Sequence, residues 1–374
     1  TGNGVDRGAA WVSAEGIQGH YRISGQSLIR ISSDSGAENL GEILGDGQAS
    51  IAYSFNNVAI VSGGNLYYYN PTDGLRQITD EDLGNPIDIV WVDGYFFLTD
   101  GKDIYHSNIA NENQFEPLDF GNSQFLPDPS RGLGKNEDNE ILVFGEFSTE
   151  YFVNVGSENF AFRRIQEKAQ KIGILGTHCK REMAGKWYTI ARRKESAPRF
   201  HIISLGNEQA ISSREIDKVL STYTPDELKT STVDTMVIDG ISMVVYHLPN
   251  HVFMFNQTVA SKVGVNNAWT TLKSDVNGDT PYRAKDPILD PNIGKWIIGD
   301  KYNQKIGYMN PDIFTQYDEL VEWTLFTPFV KLESLSVNKL EIDTIPGITI
   351  EDDARVFISQ TVNGRSYSNE WSQL

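Results

Sequence analysis

The 374-residue chain is short of cysteine, of positive charge and of long apolar runs. Its one cysteine, Cys179, cannot build an internal disulfide framework and leaves the redox compartment open. Lys and Arg number 32 against 50 Asp and Glu, a formal charge of −18, and the isoelectric point lies near 4.7. A protein that coats nucleic acid needs clustered cations against phosphate, so that class is excluded. The same balance disfavours an anionic membrane surface. No apolar run approaches the ~20 residues that span a bilayer, so no transmembrane segment is expected. Thr1 stands where Met is usual and no basic–apolar leader follows it, so the chain reads as a processed or trimmed product. Aromatic residues make up 11% of the chain, with 33 Gly and 14 Pro. That composition predicts an all-β body of short strands and tight turns.

A repeat organises those strands. A four-residue apolar segment is followed, after a polar turn, by a second segment that carries an aromatic and often ends in Asn. Residues 58–61 (VAIV) precede 65–70 (NLYYYN), 95–98 (YFFL) precede 103–108 (DIYHSN), and 141–144 (ILVF) precede 149–154 (TEYFVN). The pattern recurs at 187–190 and 199–204, at 242–245 and 251–256, and at 295–298 and 305–310, with an earlier copy at 20–24 and 27–32. The starts at 20, 58, 95, 141, 187, 242 and 295 lie 38, 37, 46, 46, 55 and 53 residues apart. Propeller blades recur at about this period, four strands each. Outer strands are expected at 75–79, 116–120, 162–166 and 268–272, and inner strands at 50–55 and 87–93. One blade cannot bury both of its faces, whereas radial stacking buries them and leaves short edges. The expected fold is a β-propeller over residues 1–328, with seven blades favoured over six; the competing reading is a pair of β-sandwiches.

Two segments interrupt the repeat. Residues 212–220 read as a helix with a capping box from Ser212 and Glu215 and an apolar face of Ile216, Val219 and Leu220. Thr224-Pro225-Asp226-Glu227 opens a second, with proline in its first turn. The pair imitates a helix-turn-helix, but Glu215, Asp226 and Glu227 would face phosphate, so residues 212–230 read as an inserted decoration. From about residue 329 to 374 the alternation continues at 337–342, 348–351 and 355–361, with Asn363-Gly364 as a turn. This predicts the opening part of a second, β-sandwich-like domain.

Charge is unevenly placed. Residues 1–130 hold 5 basic and 18 acidic residues (5 − 18 = −13), and residues 161–200 hold 11 and 3 (11 − 3 = +8). The basic block includes Arg163, Arg164, Lys168, Lys171, Lys180, Arg181, Arg192, Arg193, Lys194 and Arg199. It reads either as a solvated blade edge or as a docking patch for an acidic neighbour, including the acidic region of another copy.

Catalytic signals are weak. A glycosidase needs two carboxyls facing one cleft, and fifty acidic residues supply such pairs by chance. Residues 361–367 (TVNGRSY) approach the aspartate-box turn of sialidases, one residue short and with Asn where Asp is usual, and that turn is structural. Residues 275–279 (DVNGD) begin like a calcium loop, but Thr280 and Asp286 replace the Gly and Glu that such loops require. His247 and His251 are four apart, yet Pro249 between them denies the helical geometry of a zinc pair. Cys179 beside His178 lacks an orienting third group and reads as a buried apolar side chain. Asn256-Gln257-Thr258 is a formal glycosylation sequon. No catalytic, metal or cofactor residues are assigned, and no enzyme is expected.

Several of these segments together resemble one family. Residues 171–180 (KIGILGTHCK), 216–228 (IDKVLSTYTPDEL), 246–256 (YHLPNHVFMFN), 325–329 (LFTPF) and 3–8 (NGVDRG) are similar in order and separation to the packaged-DNA stabilisation, or tail hub, proteins of lambdoid podophages infecting Salmonella and related enterobacteria. Members run longer at both ends, so the chain reads as their core. The resemblance implies a structural protein of the virion, made in the host cytoplasm. It would assemble as a hexameric ring below the portal and its adaptor ring after DNA packaging. It would receive the trimeric tail needle, help seat the tailspikes and conduct DNA at ejection, without reading bases. A propeller that binds or cleaves host polysaccharide is the competing function.

Overall fold

The structure is a computed structural model that describes residues 2–32, 36–123, 125–204, 206–276, 278–310, 312–313, 315–326 and 356–373. Seven antiparallel sheets follow one another along the chain. Blade 1 is Asp6–Val12, Gly19–Ser24, Ser27–Ile31 and Ala37–Glu42; blade 2 is Ser50–Tyr53, Val58–Ser62, Asn65–Asn70 and Gly74–Ile78. Blade 3 is Asp88–Val92, Tyr95–Thr99, Ile104–Ser107 and Phe115–Gly121, and blade 4 is Ser130–Lys135, Ile141–Gly145, Thr149–Asn154 and Phe162–Gln170. Blade 5 splits its innermost strand into Gly173–Ile174 and Lys180–Met183, followed by Lys186–Arg192, Arg199–Ser204 and Asn207–Ala210. Blade 6 is Thr232–Ile238, Ile241–His247, Val252–Asn256 and Trp269–Thr271; blade 7 has three strands, Ala284–Asp290, Lys295–Asp300 and Ile306–Tyr308. The chain is therefore a seven-bladed propeller, as the repeat predicts, with a hairpin at Thr315–Gln316 and Glu319–Leu320.

The strands are apolar on consecutive residues because both faces of a blade are covered. Val58 and Ile60 join Tyr21 and Ile23 of blade 1, while Ala59 and Val61 join Phe96 and Leu98 of blade 3. Alternate side chains thus serve opposite neighbours, and the second strand of blade 2 is buried at every position. Outer strands lose that double cover, and Ala37–Glu42 is mostly exposed. Apolar clusters join blades 1 to 2, 2 to 3, 3 to 4, 4 through 6, and 6 to 7. Among the described residues none joins blade 7 to blade 1.

That last seam is closed by charge. Arg22, fully buried in blade 1, pairs with Asp6 at 2.7 Å and donates through Nη2 to the carbonyls of Asp286 (2.8 Å) and Ile297 (3.2 Å) in blade 7. Gly299 has no Cβ because one would overlap the Asp6 side chain. Gly2 N–H donates to the Gln304 carbonyl at 2.7 Å.

The pair belongs to a wider network at the end where the innermost strands begin. Asp88 accepts from Ser50 Oγ (2.6 Å), Leu133 N–H (2.7 Å) and Lys180 Nζ (2.8 Å), which ties blades 2, 3, 4 and 5. Val233 N–H donates to the His178 carbonyl (3.2 Å), tying blades 5 and 6. Asp234 accepts from His247 Nε2 (2.9 Å) and from Asp286 N–H (2.9 Å), tying blade 6 to blade 7. Gln48 donates to Asp286 Oδ1 at 2.7 Å. Asp6, Asp88, Asp234 and Asp286 are each at most 5% exposed, so charged side chains pack the axis at this level. Burial pushes the Asp6 carboxyl well above the usual range, and the Arg22 guanidinium opposes that rise. Burial would raise Asp88 and Asp286 too, but the Lys180 ammonium holds the first low, and Lys285 with the Asp6 carboxyl and the Gln48 amide holds the second low.

Helices Arg214–Leu220 and Pro225–Leu228 lie between blades 5 and 6, within the expected insertion. The first cap differs from expectation. Ser213, not Ser212, accepts from Ile216 N–H, because Ser212 Oγ instead donates to Asp217 Oδ1 at 2.5 Å. The Thr224–Glu227 box forms as expected. A third helix, Gln257–Val263, was not anticipated; it is capped by Asn256, the asparagine of the sequon, with Gly264 after its last turn.

Compact units comprise residues 1–310 with 315–322, and residues 311–314 with 323–374. In the second, Val356–Ile358 pairs with Trp371–Gln373, and Phe326 packs against Tyr367. The strands expected at 337–342 and 348–351 lie outside the described residues.

Replacing Arg22 by Met leaves Asp6 buried against a seam with no apolar substitute, and removing one partner of such a pair costs about 3–5 kcal/mol. Urea unfolding should show that loss, with hydrogen exchange rising first in Lys295–Asp300, whereas Lys102→Met, at a side chain 86% exposed, should change stability by less than about 0.5 kcal/mol. Acid should also weaken the fold. Burial lowers His20 to about 3 and His178 to about 4, and lowers His247. Below about pH 6.5 the unfolded imidazoles take up protons that the folded ones refuse, so stability falls as pH falls. Asp6 and Asp119, which burial raises, work in the opposite sense, but they are two groups against five, since burial lowers His106 and His201 as well. The urea midpoint should drop between pH 7 and 4.5; a flat or rising midpoint contradicts this assignment.

Candidate functional site

The motifs with catalytic overtones are taken up by structure. Cys179 is fully buried and its Sγ donates to the carbonyls of Leu228 (3.3 Å) and Ser231 (3.4 Å). Burial pushes its thiol up to about 12, which suppresses the thiolate that nucleophilic chemistry needs. Burial lowers the His178 imidazole to about 4, and the charges it feels most are those of Asp88 and Lys180. His247 and His251 diverge: the first holds Asp234, and the second accepts or donates at the Tyr223 hydroxyl, 2.5 Å away. Asp275 Oδ2 accepts from Thr280 N–H at 3.3 Å, which closes its own turn. In the turn at 361–366, Asn363 Oδ1 accepts from the N–H groups of Arg365 and Ser366, and Thr361 Oγ1 from that of Gly364. Among the described residues no three His, Cys, Asp or Glu side chains form a group that could hold a metal.

The basic block is spread over the top, core and rim of blades 4 and 5. Lys180 is on the axis against Asp88, with a side chain only 8% exposed. Arg164 pairs with Glu150 (3.0 Å), Lys168 with Glu140 (2.6 Å), Arg199 with Asp217 (2.9 Å), Arg192 with Glu146, and Arg193 with Glu208. Arg131 shares Glu146, and both guanidinium groups hold that carboxyl below its ordinary value against the cost of burial. Six of the ten cations are thus matched internally, which their sequence spacing could not reveal. Arg163, Lys171, Arg181 and Lys194 have no ion pair among the described residues, and Arg163, Lys171 and Lys194 are exposed.

One surface was missed by sequence reasoning, and a second was named only through Arg163 and Arg164. Phe55 is 73% exposed on a turn whose backbone is held by Ser54 Oγ, which accepts from Asn56 and Asn57 N–H, and it stands edge-on to Trp91 at 5.2 Å. The only signal was an aromatic in a turn that should be polar. The second surface is a groove of about 490 Å³ lined by Asn122 and five consecutive residues, Arg163 to Glu167, of the outer strand of blade 4.

No helix among the described residues is long and apolar enough to cross a membrane. Comparison with known structures bears on the fold alone. The extracellular domain of BT4673 from B. thetaiotaomicron matches with a TM-score of 0.51 at 8% identity, covering 83% of this chain. This chain spans only 39% of that protein's length. A streptogramin B lyase matches with a TM-score of 0.51 at 10% identity, covering 83% of this chain and 94% of the lyase. Sequence comparison is more specific. The tail hub protein gp10 of Salmonella phage P22 is 28% identical over 384 aligned positions, 98% of this chain and 78% of that protein. The description "Bacteriophage P22 Gp10, beta-propeller" matches residues 1–314, and "Bacteriophage P22 Gp10, beta-sandwich" matches residues 322–373. With one match on the propeller and the other on the segment that follows it, the chain belongs to the bacteriophage P22 Gp10 family.

Proposed function

We propose that this protein is a structural tail hub of a short-tailed phage, which assembles as a ring below the portal–adaptor after packaging and completes the channel that retains DNA. The observation that carries this reading is the whole-chain likeness to a protein named as a tail hub, across both of its domains. In the same reading the ring receives the trimeric needle, helps seat the tailspikes and later conducts DNA into the host, and the subunits are made in the host cytoplasm.

The propeller's physics agrees with a wall rather than a pore. Its axis is packed by Arg22, Asp6, Asp88, Asp234 and Asp286, so a duplex cannot run through a single subunit. The passage would lie between copies. A net charge of −18 repels phosphate and limits sticking as DNA slides past. A cyclic ring needs two different complementary patches on each copy, and the uneven charge of residues 1–130 and 161–200 provides a basis for them.

Light scattering at micromolar concentration should report a monomer of about the chain mass, 41.9 kDa. Mixed with the portal–adaptor assembly, the protein should add a ring visible by electron microscopy; failure to add one would defeat the reading. Neutralising the carboxylates that face the passage in such particles should alter DNA retention or ejection, and unchanged behaviour would remove the electrostatic part of the account.

A further inference from the structure

The geometry points to the open edge of Phe162–Gln170 as a strand-addition site for an extended acidic segment of a neighbouring polypeptide. The inference rests on the tail reading above, since it names a contact that the assembled hub would use.

Phe162–Gln170, at nine residues, is the longest strand among the described residues. The outer strands of blades 6 and 7 have three residues each, and those of blades 1 and 3 have six and seven. A long edge strand normally invites pairing and is shortened or covered. This one is neither. It pairs inward with Thr149–Asn154 from Phe162 to Ile165, then bulges, with residues 166–169 set against Glu150 before Gln170 meets Thr149. No main-chain hydrogen bond reaches residues 163–167 from outside blade 4 among the described residues.

Two of the strand's side chains are tied inward. Arg164 Nη1 reaches Glu150 Oε2 at 3.0 Å, and the Glu150 side chain is fully buried and also accepts from Phe125 N–H at 3.1 Å. Lys168 Nζ donates to both oxygens of Glu140 (2.6 and 2.8 Å) and lies over the Tyr151 ring. Two inward clamps fix a backbone whose other side lines the groove of about 490 Å³. Five residues of extended chain span about 16 Å. An edge that is already ordered adds a strand without a further entropy cost on its own side.

Charge selects the occupant. Residues 162–171 carry Arg163, Arg164, Lys168 and Lys171 against Glu167 alone. The clamps use Arg164 and Lys168, while Arg163 and Lys171 stand exposed without an ion pair among the described residues. Pairing two copies of this edge would oppose like charges, which destabilises cross-strand neighbours. An acidic strand is favoured instead. Phe120 and Leu118, on the outer strand of blade 3 that leads to Asn122, are 50% and 63% exposed and extend the rim with apolar area.

The test uses the full chain on portal–adaptor particles. Because Cys179 is buried and its thiol is pushed up to about 12, Gln166→Cys introduces a single reactive thiol. Its maleimide labelling should slow at least tenfold on assembly, and a cross-linker on that thiol should capture a segment rich in Asp and Glu. Arg163→Glu and Glu167→Pro should lower ring addition at least tenfold with the monomer's thermal midpoint unchanged. Equal labelling before and after assembly, capture of a basic segment, or normal addition by both variants would overturn the proposal. If the unaltered protein adds no ring, the tail reading fails; if it adds one and the edge variants do too, only the strand addition fails.

Discussion

Everything in this propeller depends on closing a ring whose last seam has no apolar cluster among the described residues. Six interfaces can slide together on alternating valines, isoleucines and aromatics. The seventh is secured by Arg22, which takes its charge partner, Asp6, from its own blade and its hydrogen-bond acceptors from blade 7. The arrangement is costly in desolvation and unforgiving in geometry. It joins a circuit through Asp88, Lys180, Asp234 and Asp286 that touches all seven blades. Among the described residues blade 7 has no fourth strand, so none there takes over the work of the arginine. A closed ring of blades is in turn what gives the rim a fixed shape on which partners can be positioned.

The circuit has a second effect. Groups that could have supported chemistry are consumed by architecture: His178 joins the axis, His247 holds Asp234, and Cys179 bonds the carbonyls that follow the inserted helices. What remains outward is turns, edges and unmatched charge, which suits assembly. Family membership and packing therefore point the same way, toward a building block in which the axis carries load and the circumference makes contacts.

The blades were readable because double-sided burial writes consecutive apolar letters. Asn65–Asn70 and Thr149–Asn154 appear in the structure with the bounds their patterns suggested. Polar outer strands such as Ala37–Glu42 and Asn207–Ala210 were invisible for the same reason: nothing covers them, so nothing constrains their letters. Helix Gln257–Val263 was missed although Asn256 and Gly264 bracket it, because Asn256-Gln257-Thr258 was read only as a sequon and not as a helix start. The axial network left a trace, a polar residue opening successive inner strands at Asp6, Ser50, Asp88, Ser130 and Lys180. Its pairings were not legible, since they join residues up to 275 positions apart. Nor could composition show that six of ten cations in the basic block already had partners at home.

The path of DNA in the assembled tail discriminates most directly between a wall and a pore. Imaging DNA-filled particles that carry this protein should place the duplex between copies, along the axis of the ring, with the polar core of each propeller intact. Density threaded through a propeller, or a DNA-retaining tail with no ring of this chain, would contradict the account.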